Sequence, residues 1–188
     1  MDATLTILVE EGAHAWTTAA LAARAGVSEA TLFKHFSNKE EILIATFQAQ
    51  ASALRERISA YAADGSPWEQ AEGLVIHVLR SVEEAGGGPL LILLGHAARI
   101  QPAMGKDVEK TAALFRDRLQ TLLSQDSSGP PVSQAQVPVL AELLVAVTQS
   151  SALRWMAFGR KRSLCRIAAP MLRLLRQCAG ALTQEVGG

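Results

Sequence analysis

Residues 18–25 and 29–35 form two short segments joined by a brief turn. The residue types in the turn are those that end one helix and begin the next. Gly26 can adopt the left-handed backbone conformation that ends a first helix. Ser28 can cap the second helix, and we expect Val27 to pack into the core between the two. The spacing predicts a helix-turn-helix.

The second helix would present a polar face that fits the major groove of DNA. Leu32 and Phe36, four residues apart, are expected to face inward. A major groove about 12 Å wide admits one helix, whose amino-terminal residues then meet the base edges. Ser37 could cap a further helix whose N–H groups point at phosphates. The residues expected at DNA are Thr17, Thr18, Ser28, Glu29, Ala30, Thr31, Phe33, Lys34, His35 and Lys39. The alternative is an ordinary helical hairpin with a glycine turn.

The remainder of the chain predicts an all-α fold of about nine helices, because no segment alternates with period two. Capping boxes are expected at Ser37–Glu40 and at Ser66–Glu69, the second with Pro67 at the first helical position. Pro138 could delay or kink the helix that contains it, as could Pro170. The predicted helices are 2–11, 18–25, 29–35, 38–62, 67–85, 90–100, 103–125, 134–158 and 164–183.

The composition excludes several classes of protein. The 188 residues are 49% hydrophobic and 19% charged, with a formal net charge of zero, which indicates a large core rather than a disordered chain. No apolar run reaches the roughly 18 residues of a membrane span. The amino terminus lacks the basic flank of a signal peptide, so we expect a cytoplasmic protein. Cys165 and Cys178 have no metal-site spacing and are expected to be free, buried thiols.

Catalysis and cofactors are not expected. No His/Glu spacing suggests a metal site, and no nucleophile stands near a candidate base. We therefore predict neither an enzyme nor a bound cofactor.

Further residues around the helix-turn-helix identify a family. The pattern consists of Gly12, Thr17, Leu21-Ala22, Ala25-Gly26-Val27-Ser28, Thr31-Leu32-Phe33, His35-Phe36, Lys39-Glu40 and Ile42-Leu43. In this order and spacing the chain resembles the TetR family of transcriptional regulators over residues 1 to about 47. The resemblance implies a DNA-binding domain at 1–47 and a ligand-binding and dimerisation domain at 48–188. It also implies a homodimer that binds double-stranded palindromic operator DNA, as a repressor that a small ligand releases.

The sequence departs from the family pattern in the residues that would touch phosphate. Phe33 stands where the family commonly has a tyrosine whose hydroxyl reaches a phosphate. The first-helix motif is matched only from its second residue, Met1, and the usual basic arm is missing, as a misplaced start or a shortened chain would explain. Residues 1–47 carry three bases and six acids, a balance of −3. Because phosphate contacts supply most non-specific affinity, we predict weak, salt-sensitive DNA binding.

The last two predicted helices are too apolar for both to be satisfied inside a monomer of this size. The resemblance places them in a four-helix bundle across a two-fold axis. The predicted dimer contacts are Leu143, Val147, Ser150, Arg154, Ile167, Met171, Leu174 and Cys178. A wholly internal hairpin is the alternative. The same stretch, 143–184, carries seven bases and no acid. These bases could ring the bundle, pair with acids such as Asp107 and Glu109, stay solvated, or form a second nucleic-acid surface.

A small, hydrophobic effector is expected among the middle helices, in an apolar cavity with a few polar groups. The candidate residues are His77, Leu91, Leu94, His96, Arg99, Phe115, Thr148, Gln149, Trp155 and Met156. The alternative for His77 and His96 is a satisfied position in the core or at its rim.

Two functions are compatible with the sequence. The first is a dimeric regulator that inserts residues 29–35 into the major groove. The second is a ligand-binding or protein-interaction dimer that has kept the fold with weakened or lost DNA binding, consistent with the acidic amino-terminal domain.

Overall fold

A computed structural model describes residues 3–11, 14–87, 104–125, 134–158 and 161–185 of the chain. Within these ranges the protein is all-α, as the sequence predicts, with eight helices and no strands. The predicted helix at 90–100 lies outside the described residues. The helices are α1 (Ala3–Glu10), α2 (Thr18–Ala25), α3 (Glu29–His35), α4 (Lys39–Ala60), α5 (Pro67–Glu84), α6 (Gly105–Leu123), α7 (Val137–Ala157) and α8 (Leu164–Glu185).

Side-chain caps begin four of the eight described helices, α2, α3, α4 and α5. Ser66 and Glu69 form the expected capping box at α5, with Pro67 in the first turn. At α4 the prediction is wrong by one residue, because Asn38 rather than Ser37 is the cap and its side chain accepts from the Glu41 N–H. The amide oxygen of Asn38 reaches that N–H at 2.8 Å, so the serine is left outside the helix.

The two prolines have different outcomes. Pro138 lies in the first turn of α7, where its missing N–H costs no hydrogen bond, and the helix begins at Val137 instead of the predicted residue 134. Pro170 lies inside α8, which continues through it to Glu185.

Three hydrophobic clusters make up the core of the described residues, and α4 contributes to each of them. Near its start, Ile42 packs with α1 and α2 residues in the head, the name we give to α1–α3. In its middle, Phe47 and Ala51 pack with Met104. Near its end, Leu54 and Ile58 join the large cluster of the body, which is built from α4–α8. One helix therefore ties the head to the body.

Helix α7 is apolar enough to cross a membrane by length and composition, the one such helix in the part of the chain that is described. Half of its most apolar window is buried inside the fold, where Leu144 and Ala141 are fully enclosed. The apolar residues in the buried half of this window are explained by packing against neighbouring helices.

The cysteines are free, as expected, but the prediction that they are buried is wrong. Cys165 is half-buried and Cys178 is exposed on α8. The side of α8 that carries Cys178 faces away from the core of the protomer, since the buried α8 residues of the core are Leu164, Ala168, Leu172 and Ala179.

A close approach between α5 and the end of α4 requires a glycine. A Cβ built on Gly73 would lie 2.0 Å from the hydroxyl oxygen of Tyr61 and 3.3 Å from its Cζ. Tyr61 also stacks on His77, with ring centroids 5.4 Å apart, and burial raises the pKa of its phenol. The ring therefore lies against both Gly73 and His77.

We expect Gly73→Ala to destabilise the protein by about 1–2 kcal/mol, although alanine alone favours a helix by up to about 1 kcal/mol. The collision with the Tyr61 hydroxyl outweighs the helix propensity. Thermal and urea unfolding of the variant would measure the change. Tyr61→Phe should restore part of the loss in the double variant and cost little alone. A Gly73→Ala protein as stable as the parent would contradict the close approach.

Candidate DNA-binding interface

Helix α2 ends as the glycine turn predicts. Gly26 has φ of 70°, in the left-handed region that favours glycine, and its N–H bonds to the Ala23 carbonyl at 3.3 Å. The Val27 N–H bonds to the Ala22 carbonyl at 3.0 Å. This pair of bonds is a Schellman motif, which satisfies two of the carbonyls at the helix end and redirects the chain into α3.

Helix α3 starts at a well-formed cap. The Ser28 hydroxyl accepts from the Thr31 N–H at 3.1 Å, and the hydroxyls of the two residues share a hydrogen bond of 2.9 Å. Thr17 caps α2 in the same way, accepting from the Ala20 N–H at 3.1 Å. The two caps and the Schellman turn together fix the direction of α3 relative to α2.

Most of the surface of α3 is available for contact. None of its residues is buried, and Phe33 is 48% exposed. Leu32 and Phe36 are half-buried against the head cluster of Ile7, Trp16, Leu21 and Ile42, so they face inward as predicted. Every residue expected at DNA is exposed or half-buried.

One prediction in the turn is wrong. Val27 is 41% exposed and does not belong to the described core. Its backbone N–H closes the Schellman turn, so the turn geometry directs the side chain outward despite its apolar character.

The start of α4 is less able to bind phosphate than the sequence suggests. The Glu41 carboxylate accepts from the Ser37 N–H at 2.6 Å, which places a negative charge at the positive end of the helix. Lys39 lies over the Trp16 ring, 5.3 Å from its centroid, in a cation–π contact. Because a carboxylate already satisfies this helix end, an approaching phosphate would meet a like charge.

The basic residues of the head differ in what they contact. Arg24 pairs with Glu11 at 2.5 Å, and both side chains remain partly exposed. Lys34 is exposed on the surface of α3. The charge of −3 over residues 1–47 is thus accompanied by one internal ion pair, and Lys34 is the base best placed to meet DNA.

The predicted effector residues do not surround one described cavity. Phe115 and Thr148 are buried in the body core, and the Thr148 hydroxyl donates to the Leu144 carbonyl at 2.8 Å. His77 is half-buried against Tyr61. Four of the predicted residues lie outside the described ranges: Leu91, Leu94, His96 and Arg99.

Concave surfaces occur instead at the turn between α7 and α8. The larger, of about 910 Å³, is lined by Arg154, Lys161, Arg162, Ser163, Arg166, Ile167, Pro170 and Met171. An adjoining one of about 380 Å³ also takes in Trp155 and Phe158. Of the predicted effector residues, Trp155 lines the smaller one. The sequence feature that could have indicated this site is the run of bases without acids over residues 143–184.

The predicted dimer residues separate into two groups. Leu143, Ser150, Arg154, Leu174 and Cys178 are exposed, and Ile167 and Met171 are half-buried against the body core. Val147 is 8% exposed and belongs to the core of its own protomer, so its side chain offers little to a partner. Three exposed apolar residues were missed: Val139, Leu153 and Phe158, which are 61%, 51% and 72% exposed.

The acids near the carboxy-terminal bases have other partners than the sequence suggests. Asp107 pairs with Arg55 of α4 at 3.3 Å, while Arg176 pairs with Glu69 at 3.1 Å. Hydrogen bonds from the backbone and hydroxyl of Ser66, followed by Arg176, lower the pKa of Glu69. Arg176 is therefore tied to the capping box of α5 and does not join the bases at the α7–α8 turn.

Among the described residues, no group of three or more His, Cys, Asp or Glu side chains is arranged to hold a metal ion.

A capped and exposed second helix after a glycine turn, carried on an all-α body, defines a helix-turn-helix DNA-binding protein. Residues 1–46 match the family model described as "Bacterial regulatory proteins, tetR family". The head thus matches this family over residues 1–46, as its residues predict, and the chain has the fold of TetR-family transcriptional regulators.

Two relatives match the chain over part of its length and theirs, and a solved structure has a similar fold. The chain is 33% identical over 115 residues to the nucleoid occlusion factor SlmA of Vibrio campbellii, covering 61% of this chain and 57% of that protein. It is 33% identical over 129 residues to the HTH-type transcriptional regulator YvkB of Bacillus subtilis, covering 65% and 61%. A tetR-family regulator from Streptomyces coelicolor has a similar fold, with a TM-score of 0.72 at 16% identity, over 98% and 82% of the two chains.

The cap of α3 can be tested against the cap of α5. We expect Ser28→Ala and Ser66→Ala each to cost about 1 kcal/mol of stability, because each removes an N-cap hydrogen bond. Only Ser28→Ala should also weaken DNA binding, by about fivefold, since α3 is the helix that would meet DNA. Chemical unfolding and fluorescence anisotropy on labelled duplex would give the two numbers. Equal effects of both variants on DNA binding would argue against a special role for α3.

Proposed function

We propose that this protein is a homodimeric, cytoplasmic transcription factor of the repressor type, released from a palindromic operator by a small ligand. The observation that carries this proposal is the exposed outer face of α3, a helix held by a cap at its start and by a Schellman turn before it. A helix so positioned with its outer face free fits the major groove. Residues 1–47 would bind DNA, and residues 48–188 would bind the ligand and a second copy of the chain.

Roles at DNA follow from the chemistry of the exposed side chains. Lys34 and His35 can donate to guanine acceptors or phosphates, and Glu29 can accept from a cytosine amino group. Thr17, Thr18, Ser28 and Thr31 lie at the starts of α2 and α3, where backbone N–H groups favour phosphate. Phe33 can contribute packing without the hydrogen bond of a tyrosine.

The dimer proposal rests on an apolar stripe that the protomer leaves uncovered. Along α7, exposed apolar and small residues recur at helical spacing: Val139, Leu143, Ala146, Ser150 and Leu153. On α8, Leu174 is 61% exposed. Large contiguous apolar patches are uncommon on monomers, and a two-fold axis would bury the same stripe of both copies. The small residues would allow the helices to approach closely.

The second candidate function is a TetR-fold dimer whose head no longer depends on DNA. Two observations favour it: the net charge of −3 over residues 1–47, and the carboxylate of Glu41 at the start of α4. Both weaken attraction to phosphate. DNA binding at low salt decides between the two functions.

Lys34→Ala should weaken binding to the DNA beside the protein's own gene and reduce the slope of log K against log salt by about one, since one phosphate contact is lost. Fluorescence anisotropy over a salt series measures both quantities. Lys106→Ala, an exposed lysine on α6 of the body, is the matched control and should change neither. If the parent chain binds no duplex even at low salt, the second candidate function is favoured.

Leu174→Glu should convert the protein from dimer to monomer, because a charge would be buried in the apolar interface without a partner. Sedimentation analysis of the mass would show the change. Val27→Glu places the same charge at an exposed apolar residue of the head and should leave the mass unaltered. A dimer that tolerates Leu174→Glu would show that α8 contributes no interface at this position.

A further inference from the structure

We propose that the concavity at the α7–α8 turn binds a small anionic amphiphile, with its acidic group on the bases and its apolar chain on the adjoining wall. This concerns a place other than the predicted pocket among the middle helices, and it does not depend on DNA binding. The ligand class is a soluble single-chain molecule that ends in a phosphate or carboxylate.

Four bases line the larger concavity: Arg154, Lys161, Arg162 and Arg166. Within the described part of the chain none of them forms an ion pair with a carboxylate, whereas Arg24, Arg55, Arg57, Arg116 and Arg176 all do. Like charges that face one concave surface raise the local positive potential and concentrate anions there. This cluster therefore lacks the carboxylate partners that those five arginines have.

An acid beside this cluster, Glu83, already has partners. Glu83, at the end of α5, accepts from the Leu164 N–H at 2.6 Å through one oxygen and from the Ser163 hydroxyl at 3.3 Å through the other. Its carboxylate thus caps the start of α8. A single capping carboxylate leaves a net positive charge at the turn.

The wall of the concavity is apolar. Ile167, Pro170 and Met171 line the larger part, and Trp155 and Phe158 line the smaller part, which shares Arg154 with it. Phe158 is 72% exposed, an unusual state for a large aromatic side chain. Volumes of about 910 and 380 Å³ lie in the range of ligand sites, which are mostly apolar with a few polar groups.

The four bases and the apolar wall together determine which class of ligand fits the concavity. A bare inorganic anion would use the bases and leave the aromatic and aliphatic wall in water. A neutral apolar molecule would bring nothing to offset four positive charges. A nucleic acid needs bases spread along an extended surface to follow its backbone, whereas these bases surround one concave space. An amphiphile with one acidic end uses both halves of the site.

Titration calorimetry on the full chain without DNA would test the proposal. Octyl phosphate, kept below its micellar concentration, should bind saturably at one site per chain. Inorganic phosphate lacks the alkyl chain, and octyl glucoside lacks the charge. Each should therefore bind at least about tenfold more weakly than octyl phosphate.

Variants then place the site. Arg154→Gln and Arg166→Gln should each weaken octyl phosphate binding by about tenfold, through the loss of a charge-assisted hydrogen bond. Arg173→Gln is the matched control, because Arg173 is exposed on α8 but does not line the concavity. Circular dichroism and thermal unfolding would show that the variants fold like the parent.

Four results would overturn the proposal. They are no saturable binding of octyl phosphate, equal binding of octyl glucoside, binding unchanged by both Arg154→Gln and Arg166→Gln, or an equal loss in Arg173→Gln. A short DNA duplex that binds the parent and loses affinity in Arg154→Gln, while octyl phosphate does not bind, would assign the cluster to nucleic acid instead.

Discussion

The structure depends on the burial of one side of α4 in three separate clusters. This 22-residue helix places Ile42 in the head, Phe47 and Ala51 in the middle cluster, and Leu54 with Ile58 in the body. At 1.5 Å per residue it spans about 33 Å. Packed cores resist continuous deformation, so a shift of the body against α4 must move the head. Arg55 strengthens the attachment by contacting Asp107 and Thr111 of α6. The expected boundary at residue 47 thus falls inside a continuous helix, through which the proposed ligand release would reach the head.

Acids and bases are distributed unevenly along the chain, although its formal net charge is zero. In the head, acids are used internally, since Glu11 holds Arg24 and Glu41 holds the Ser37 backbone. At the α7–α8 turn the bases lack carboxylate partners among the described residues. The surface expected to meet DNA is therefore weakly attractive, and a concavity lined by four bases lies in the body. A small anion and a phosphate backbone would be attracted to different ends of the chain.

Predictions from the sequence were most accurate where a single residue type determines the backbone conformation. Gly26 and Ser28 fix the turn through a left-handed φ and a side-chain cap, so α2 and α3 begin and end as predicted. Apolar residues were harder to place. Val27 is exposed and Val147 is buried, although the same residue type was expected in the core at 27 and at the dimer face at 147. The hydropathy of a helix indicates how much apolar surface it has. Which side of the helix is buried depends on where the neighbouring helices pack.

The sequence by itself determined the helical class, the helix-turn-helix and the resemblance of the head to the TetR family, because these depend on local caps, turns and spacing. It also indicated that α7 and α8 carry more apolar surface than one protomer covers. Only the tertiary structure decided which stripe of α7 stays exposed, how α4 joins the three clusters, and which bases find acids. The physical reason is that ion pairs and burial are made between residues far apart in the chain, such as Arg176 with Glu69 and Glu83 with Leu164. Local sequence cannot specify those contacts.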